Sequence, residues 1–279
     1  MITELPTVYL QGLVAIVTGG GRGIGRTIAQ KLAGAGAAVA VVGRSLSHLQ
    51  ENVRDIEIHG GQAIALAADV TDSSAMAQVV LETEQRLGAV SVLVNNAAMA
   101  ETSGPISTTD PDLWWSEVEV NLRGPFLCAR AVLPGMLARK QGRIINVVSG
   151  AGLFPIPYIT SYITSKAALI RLTDCLAAEV KAEGLAIFAI NPGPVRTDMT
   201  ERAMNSEAGK KWTPWLEAMF DAGQNVPPEC SANLITFLAS GQANSLSGCY
   251  ISVEDDVPNM ILNAEKIQRE DLHKMRLKN

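Results

Sequence analysis

Histidine is scarce in this 279-residue sequence: there are three, His48, His59 and His273, all in polar, helix-like surroundings and none at metal-ligand spacing. That argues against a metal centre and against a Ser-His-Asp triad. Cys128, Cys175, Cys230 and Cys249 lie far apart with no C-x-x-C pair, so they read as reduced, buried thiols rather than a disulfide or metal framework. Charge is sparse as well, at 18% of residues with a net charge of -5, and the Lys and Arg are scattered. Without a basic patch there is no electrostatic footprint for nucleic acid. The opening "MITELPTVYLQGLVAIVTGG" carries acid before any base, and glycine soon breaks its apolar run. Neither a signal peptide nor a membrane span is expected there, so the protein is expected to be cytoplasmic. Internal repeats and low-complexity linkers are also missing.

The 47% of hydrophobic residues are arranged in a regular way. Short, β-rich apolar runs at 13–18, 38–42, 63–67, 91–95, 142–149, 185–192 and 249–253 alternate with helical stretches such as Ile24 to Gly36 and Ser73 to Leu87. Strands apolar on both sides belong to a parallel sheet covered on both faces. Asp110 followed by Pro111 predicts an N-cap with proline in the first helical turn. The alternation predicts an α/β fold, a doubly wound, Rossmann-like parallel sheet in a single domain, with ligands at the carboxyl ends of its strands. The domain is expected over 1–256, with a long mixed segment within 198–226 read as a substrate lid and 257–279 as a helical C-terminal extension.

The stretch "VAIVTGGGRGIGRTIAQKLAGAGAAV" follows a predicted strand and opens a predicted helix. Glycines there let the backbone turn tightly and approach a pyrophosphate, whose charge meets free amides at the helix N-terminus. Gly19, Gly21, Gly23 and Gly25, with Arg22 and Ile24 between them, are the candidate contacts. No Asp or Glu occurs between Glu4 and Glu51, so the acid that would bind the ribose hydroxyls of NAD is missing. Arg44 stands in that neighbourhood instead, and its planar fork suits a 2′-phosphate. Arg22 is either a second cation for that phosphate or simply solvated.

In "YITSYITSK", Tyr162 lies four residues before Lys166 and so shares a helix face with it, whereas Tyr158 sits in the turn before the helix, after Pro155 and Pro157. Ionising a phenol of pKa near 10 at pH 7 needs a shift of about 3 units, roughly 4 kcal/mol. An ammonium about 4 Å away in a partly desolvated site supplies energy of that order. Lys166 is therefore expected to tune Tyr162 into a general acid and base.

The T-G-x-x-x-G-x-G spacing from Thr18 and the Tyr-x-x-x-Lys pair resemble the short-chain dehydrogenase/reductase superfamily, over residues 13 to 255. The resemblance implies NADP(H) rather than NAD(H), with Arg22 and Arg44 at positions where basic residues accompany NADP. It implies adenine contacts from Asp69 and Val70, and cofactor contacts from Asn96 and Ala97, where Ala98 replaces the usual glycine of N-N-A-G. Asn95, by the same likeness, ties the sheet together. Ser149 would hold the substrate oxygen, Asn121 a water in the proton relay to Lys166, and Pro192, Val195 and Thr197 the nicotinamide. The sequence departs from the family at "VEDDVPN", where relatives read V-D-G-G.

The segments expected to set specificity are 98–106, 150–158 and the lid, with Leu153, Tyr158, Met204, Trp212 and Trp215 as candidate substrate contacts, beside Phe154 and Phe220. They are apolar and aromatic, so a hydrophobic ketone or secondary alcohol fits better than a polyanion. A 3-oxoacyl thioester reductase is the alternative, with Arg202, Lys210 and Lys211 as its only docking hints, and a non-catalytic NADP sensor the remaining one. The helix from Tyr162 to Glu183 is apolar around much of its circumference, which predicts a homo-oligomer; the resemblance suggests a tetramer, with a dimer also possible. The C-terminal tail is open between a solvated surface helix and a reach into a neighbouring subunit.

Overall fold

The computed structural model describes residues 5–276, and all seven expected strands are present. They are β1 (Val14–Thr18), β2 (Ala38–Gly43), β3 (Gln62–Ala67), β4 (Val90–Asn95), β5 (Gly142–Val147), β6 (Leu185–Asn191) and β7 (Tyr250–Ser252). They form one parallel sheet in the order β3-β2-β1-β4-β5-β6-β7. The order reverses between β1 and β4, which creates the crevice where doubly wound sheets bind ligands. Side-chain alternation splits the interior into two cores: Ala15, Val17, Val39 and Val41 pack on one face, Ile16, Ala40 and Val42 on the other. Each fully buried Val, Leu or Ile contributes about 1.5–3 kcal/mol.

The helices α1 (Gly23–Gly34), α2 (Leu46–Ile58), α3 (Ser73–Arg86), α4 (Pro111–Val118), α5 (Gly124–Arg139) and α6 (Thr160–Glu179) return the chain between strands. Asp110 caps α4 as expected, accepting from the backbone amides of Asp112 (2.8 Å) and Leu113 (3.1 Å). A π-turn, Glu119–Arg123, separates α4 from α5. The segment after β6 folds as three short helices, α7 (Asp198–Asn205), α8 (Glu207–Trp212) and α9 (Trp215–Asp221), and α10 (Pro228–Ala239) then packs on α1.

The C-terminal tail is neither a solvated helix nor a free arm over its described length. It forms α11 (Val257–Leu262) and α12 (Ala264–Arg269), whose Val257, Met260, Ala264 and Ile267 enter the core. Beyond them the Tyr250 amide of β7 donates to the His273 carbonyl (2.7 Å), and Arg276 bonds Asp174 of α6 (2.6 Å). The tail thus covers the outer edge of β7, which would otherwise present unpaired backbone groups. Residues 277–279 of the expected extension, and 1–4 at the other end of the chain, lie outside the described residues.

Two sequence expectations hold only in part. On α6, Leu169, Ile170, Leu176 and Val180 are buried within the chain, whereas Ala167, Ala168 and Leu172 are only half-buried and Cys175 is exposed; larger exposed apolar side chains lie on α4 and α5, at Leu113, Trp115 and Phe126. Of the four cysteines, Cys128 and Cys249 are buried, but Cys230 is half-buried and Cys175 exposed. Among the described residues no helix is long and apolar enough to cross a membrane, and no cluster of three metal-ligating side chains occurs.

Candidate active site

A cavity of about 1130 Å³ runs along the carboxyl ends of the strands, from the glycine loop to the short helices after β6. Its first wall is the turn from β1 into α1. Gly19 and Gly23 adopt left-handed φ values of +64° and +53°, which glycine tolerates at little cost. A Cβ on Gly25 would collide with the Gly19 carbonyl and the Asn96 side chain, so only glycine fits that close approach. Thr18, the first residue of the T-G-x-x-x-G-x-G motif, fixes the loop: its hydroxyl accepts from the amides of Asn96 (3.0 Å) and Ala97 (3.1 Å). Asn96 in turn donates to the carbonyls of Thr18 (2.9 Å) and Gly19 (3.3 Å). Asn95 lies deeper and bonds Asn146 across β4 and β5 (2.8 Å), the sheet-tying part expected of it. Gly19, Gly21, Gly23, Ile24, Gly25, Asn96 and Ala97 all line the cavity.

The second wall holds Arg44, Asp69 and Val70, together with His48 at the start of α2, a residue that carried no sequence signal beyond its position after Arg44. Burial alone would raise the Asp69 carboxyl, but hydrogen bonds from Thr71 and the Arg44 guanidinium outweigh it and hold it below its ordinary range. Arg44 is exposed at the cavity mouth. Arg22 also lines the cavity, but its guanidinium lies 3.6 Å from the Asp198 carboxylate of α7 rather than standing free.

The third wall brings together Ser149, Tyr162 and Lys166, and Pro192, Val195 and Thr197 also line the cavity. Tyr162 and Lys166 share one face of α6, and the Lys166 ammonium sits 5.7 Å from the centre of the Tyr162 ring while donating to the Val147 carbonyl (2.9 Å). Ser149 ends the strand segment and accepts from the Ala151 amide (3.2 Å), so it caps a short 3-10 turn as well as facing the cavity. Burial pushes the Lys166 ammonium down to about 8, against an opposing pull from Glu117. Burial also pushes the Tyr162 phenol up, with Ser149 opposing and Glu117 reinforcing it. This is the opposite of the direction expected from the Tyr162–Lys166 spacing. Desolvation acts on both groups at once and is the largest cause of each shift.

Asn121 sits in the π-turn, fully buried, and does not line the cavity. Its amide donates to the Met99 carbonyl (2.8 Å) and the Ser165 hydroxyl (3.1 Å), and its oxygen accepts from the Met99 amide (2.8 Å). Glu117, one turn earlier and also fully buried, does line it. The sequence signal for Glu117 was its spacing of four from Asn121, which puts both on one helix face.

A family model described as short chain dehydrogenase matches residues 13–208. A short chain dehydrogenase of Pseudocercospora fijiensis is 37% identical over 266 residues, covering 92% of this chain and 85% of its own length. A 3-oxoacyl-[acyl-carrier-protein] reductase of Synechocystis sp. is 36% identical over 235 residues, covering 84% and 92% respectively. The crystal structure of L-sorbose reductase from Gluconobacter frateurii, complexed with NADPH and L-sorbose, superposes with a TM-score of 0.79 at 29% identity, covering 89% of this chain and 97% of that one. The chain belongs to the short-chain dehydrogenase family.

The far wall of this short-chain dehydrogenase differs from the sequence expectation. Trp215 lines the cavity, with Phe154, Ile156, Leu216, Met219 and Phe220. Leu153, Tyr158, Met204 and Trp212 do not. Leu153 points to solvent, and Met204 is buried in the packing of α7. Tyr158, in a left-handed conformation with φ +71°, stacks on Trp212 with ring centres 4.8 Å apart. That pair forms a second cleft with Pro157, Lys211 and Pro214, and Ile156 and Trp215 line both it and the main cavity. The apolar character of the wall survives, supplied by neighbours of the residues first named.

Proposed function

We propose that this short-chain dehydrogenase is an NADP(H)-dependent oxidoreductase that moves hydride between the nicotinamide and a hydrophobic ketone or secondary alcohol, with Tyr162 as general acid and base. The observation that carries this reading is the convergence of Ser149, Tyr162 and Lys166 on one wall of a cavity whose other end is the glycine loop and Arg44. The residues fit the cofactor: a cradle closed to any Cβ at Gly25 for the pyrophosphate, amides at the start of α1 for its charge, and, for a 2′-phosphate, Arg44, which has no acid in its own strand–turn region although the Asp69 carboxylate lies within its reach. When bound, the cofactor supplies or accepts the hydride. The protein's own part is proton handling and orientation. A phenol held above its ordinary range is protonated at neutral pH, which suits donation to a carbonyl oxygen in the reductive direction. Ser149 offers a hydroxyl to the same oxygen, and the apolar wall around Trp215, Met219 and Phe220 excludes water from it.

A 3-oxoacyl thioester reductase is the second reading, supported by the Synechocystis relative and by Arg202 at the cavity. A homo-oligomer, tetramer or dimer, located in the cytoplasm completes the proposal; the exposed apolar residues of α4 and α5 support the assembly. NADPH consumption against a panel of aliphatic and aromatic ketones and acyl thioesters tests it. Turnover with simple ketones is the expected result, and turnover confined to thioesters selects the second reading. Tyr162→Phe is expected to lower kcat by about 10²–10⁴-fold without weakening NADPH binding. Tight NADPH binding with no turnover on any carbonyl would replace the proposal with a sensing role.

A further inference from the structure

Glu117 is fully buried, and its two oxygens are treated unequally. Oε2 accepts from the Thr102 hydroxyl (2.6 Å), the Thr102 amide (3.1 Å) and the Glu101 amide (3.4 Å). Oε1 is buried with no hydrogen-bond partner among the described residues. The Thr102 hydroxyl also contacts the Ser161 hydroxyl in the first turn of α6. One turn along, Asn121 repeats the arrangement by bonding Met99 of the same loop and Ser165 of the same helix. α4 and its π-turn therefore face α6 through two polar rungs, and Glu117 carries the only formal charge in them. Clamping the loop needs an acceptor, which a neutral amide would supply equally well. Burying a carboxylate instead is costly unless an opposite charge shares the site.

We propose that Glu117 is the buried counter-charge that keeps Lys166 protonated, a positioning residue that does not touch substrate. This rests on the roles given to Tyr162 and Lys166 above. Lys166 and Glu117 line the same cavity from two helices in contact. The groups facing Lys166 are Tyr162 on its own helix, Glu117 on α4 and the uncharged Val147 carbonyl and Ser149 of the β5 end. Arg143 of β5 lies at the opposite end of that strand, and the Glu101 side chain is exposed. Burial drives the Lys166 ammonium toward neutrality and also pushes the Glu117 carboxyl up, where hydrogen bonds from Thr102 oppose it; Glu117 in turn opposes the loss of charge at Lys166.

The test uses Glu117→Gln, which retains an acceptor for Thr102 and removes the charge. The full-length protein, labelled with [ε-13C]lysine, is titrated by NMR, with the Lys166 resonance assigned by its loss in Lys166→Met. The Lys166 midpoint is expected to fall by about one unit, a roughly tenfold loss of proton affinity. Thr102→Val, which weakens the carboxylate by removing a donor, is expected to move it the same way by less, and it carries the test if Glu117→Gln fails to fold. In turnover, the alkaline limb of NADPH-dependent ketone reduction is expected to move down with the Lys166 midpoint while KM for NADPH holds. An unchanged Lys166 midpoint in folded Glu117→Gln overturns the proposal and leaves Glu117 as a loop clamp, whatever the turnover. A shifted midpoint in a protein that reduces no carbonyl leaves the charge pair standing and overturns the enzymatic reading instead.

Discussion

Lys166→Met is expected to stabilise the protein near neutrality while removing its activity, because a buried ammonium is a burden that only function justifies. The Lys166 ammonium is held at about 8 against an ordinary 10.5. That gap of about 2.5 units corresponds to about 3 kcal/mol by which the charged form is less favourable in the folded state than in the unfolded chain. Methionine removes that penalty at similar length. It also leaves the Val147 carbonyl without the ammonium that bonds it at 2.9 Å, which costs about 1 kcal/mol. The net expectation at pH 7 is a variant about 2 kcal/mol more stable. The sign reverses with pH. Between the folded midpoint and 10.5 the unfolded chain binds more protons at this site than the folded one, so wild-type stability rises with pH through that window. The variant lacks this gain and ends about 1 kcal/mol less stable once the lysine is neutral in both states. Any proton that Glu117 takes up in the variant at lower pH adds to the swing in the same direction. Urea unfolding of both proteins at steps from pH 7 to 10.5 measures it, and effects common to the two chains cancel in the difference. A stability difference that stays constant across the window would refute the desolvated lysine, and with it the electrostatic account of the site.

Three further outcomes follow from the same geometry. Gly25→Ala is expected to cost about 1–3 kcal/mol in stability by overpacking, and to abolish NADPH binding, since its Cβ would displace the Gly19 carbonyl; thermal melts and fluorescence titration read both. Arg44→Ala is expected to lower kcat/KM for NADPH by at least roughly tenfold and leave NADH little changed, the loss of one charge-assisted phosphate contact; an unchanged ratio of the two would sink the NADP assignment. Trp215→Ala is expected to raise KM for a hydrophobic ketone, while Trp212→Ala lowers the melting temperature and leaves KM nearly unchanged, because only Trp215 reaches the cavity.

The parts of this protein legible in its sequence are those written in local spacing. Both-sided apolar runs located all seven strands, since a strand covered by helices on both faces has no polar side to show. Glycines after β1 marked a turn whose left-handed angles and close backbone approach admit little else. Tyr162 and Lys166 were brought to one face by a spacing of four and remain there. Illegible were features set by how distant segments meet. Whether Trp212 or Trp215 faces the cavity depends on how α8 and α9 turn at Pro214, and no periodicity extends across such short helices. The tail read as an extra helix whose partner its own residues did not identify, yet β7 supplies an open edge and the tail closes it.

The largest departure concerns sign rather than place. A Coulomb argument from a Tyr–Lys spacing counts the attraction between two ions and omits the solvent each must lose, and burial acts on both partners before either acts on the other. Here that omission reversed the direction at Tyr162, where Glu117 adds to the effect of burial. Spacing identifies a pair such as Tyr162 and Lys166, but a desolvated pair implies a counter-ion somewhere in the fold. On that reasoning the inward-facing acid four residues before Asn121, on a helix packed against α6, is the counter-ion proposed above, and the Lys166 midpoint in Glu117→Gln decides it.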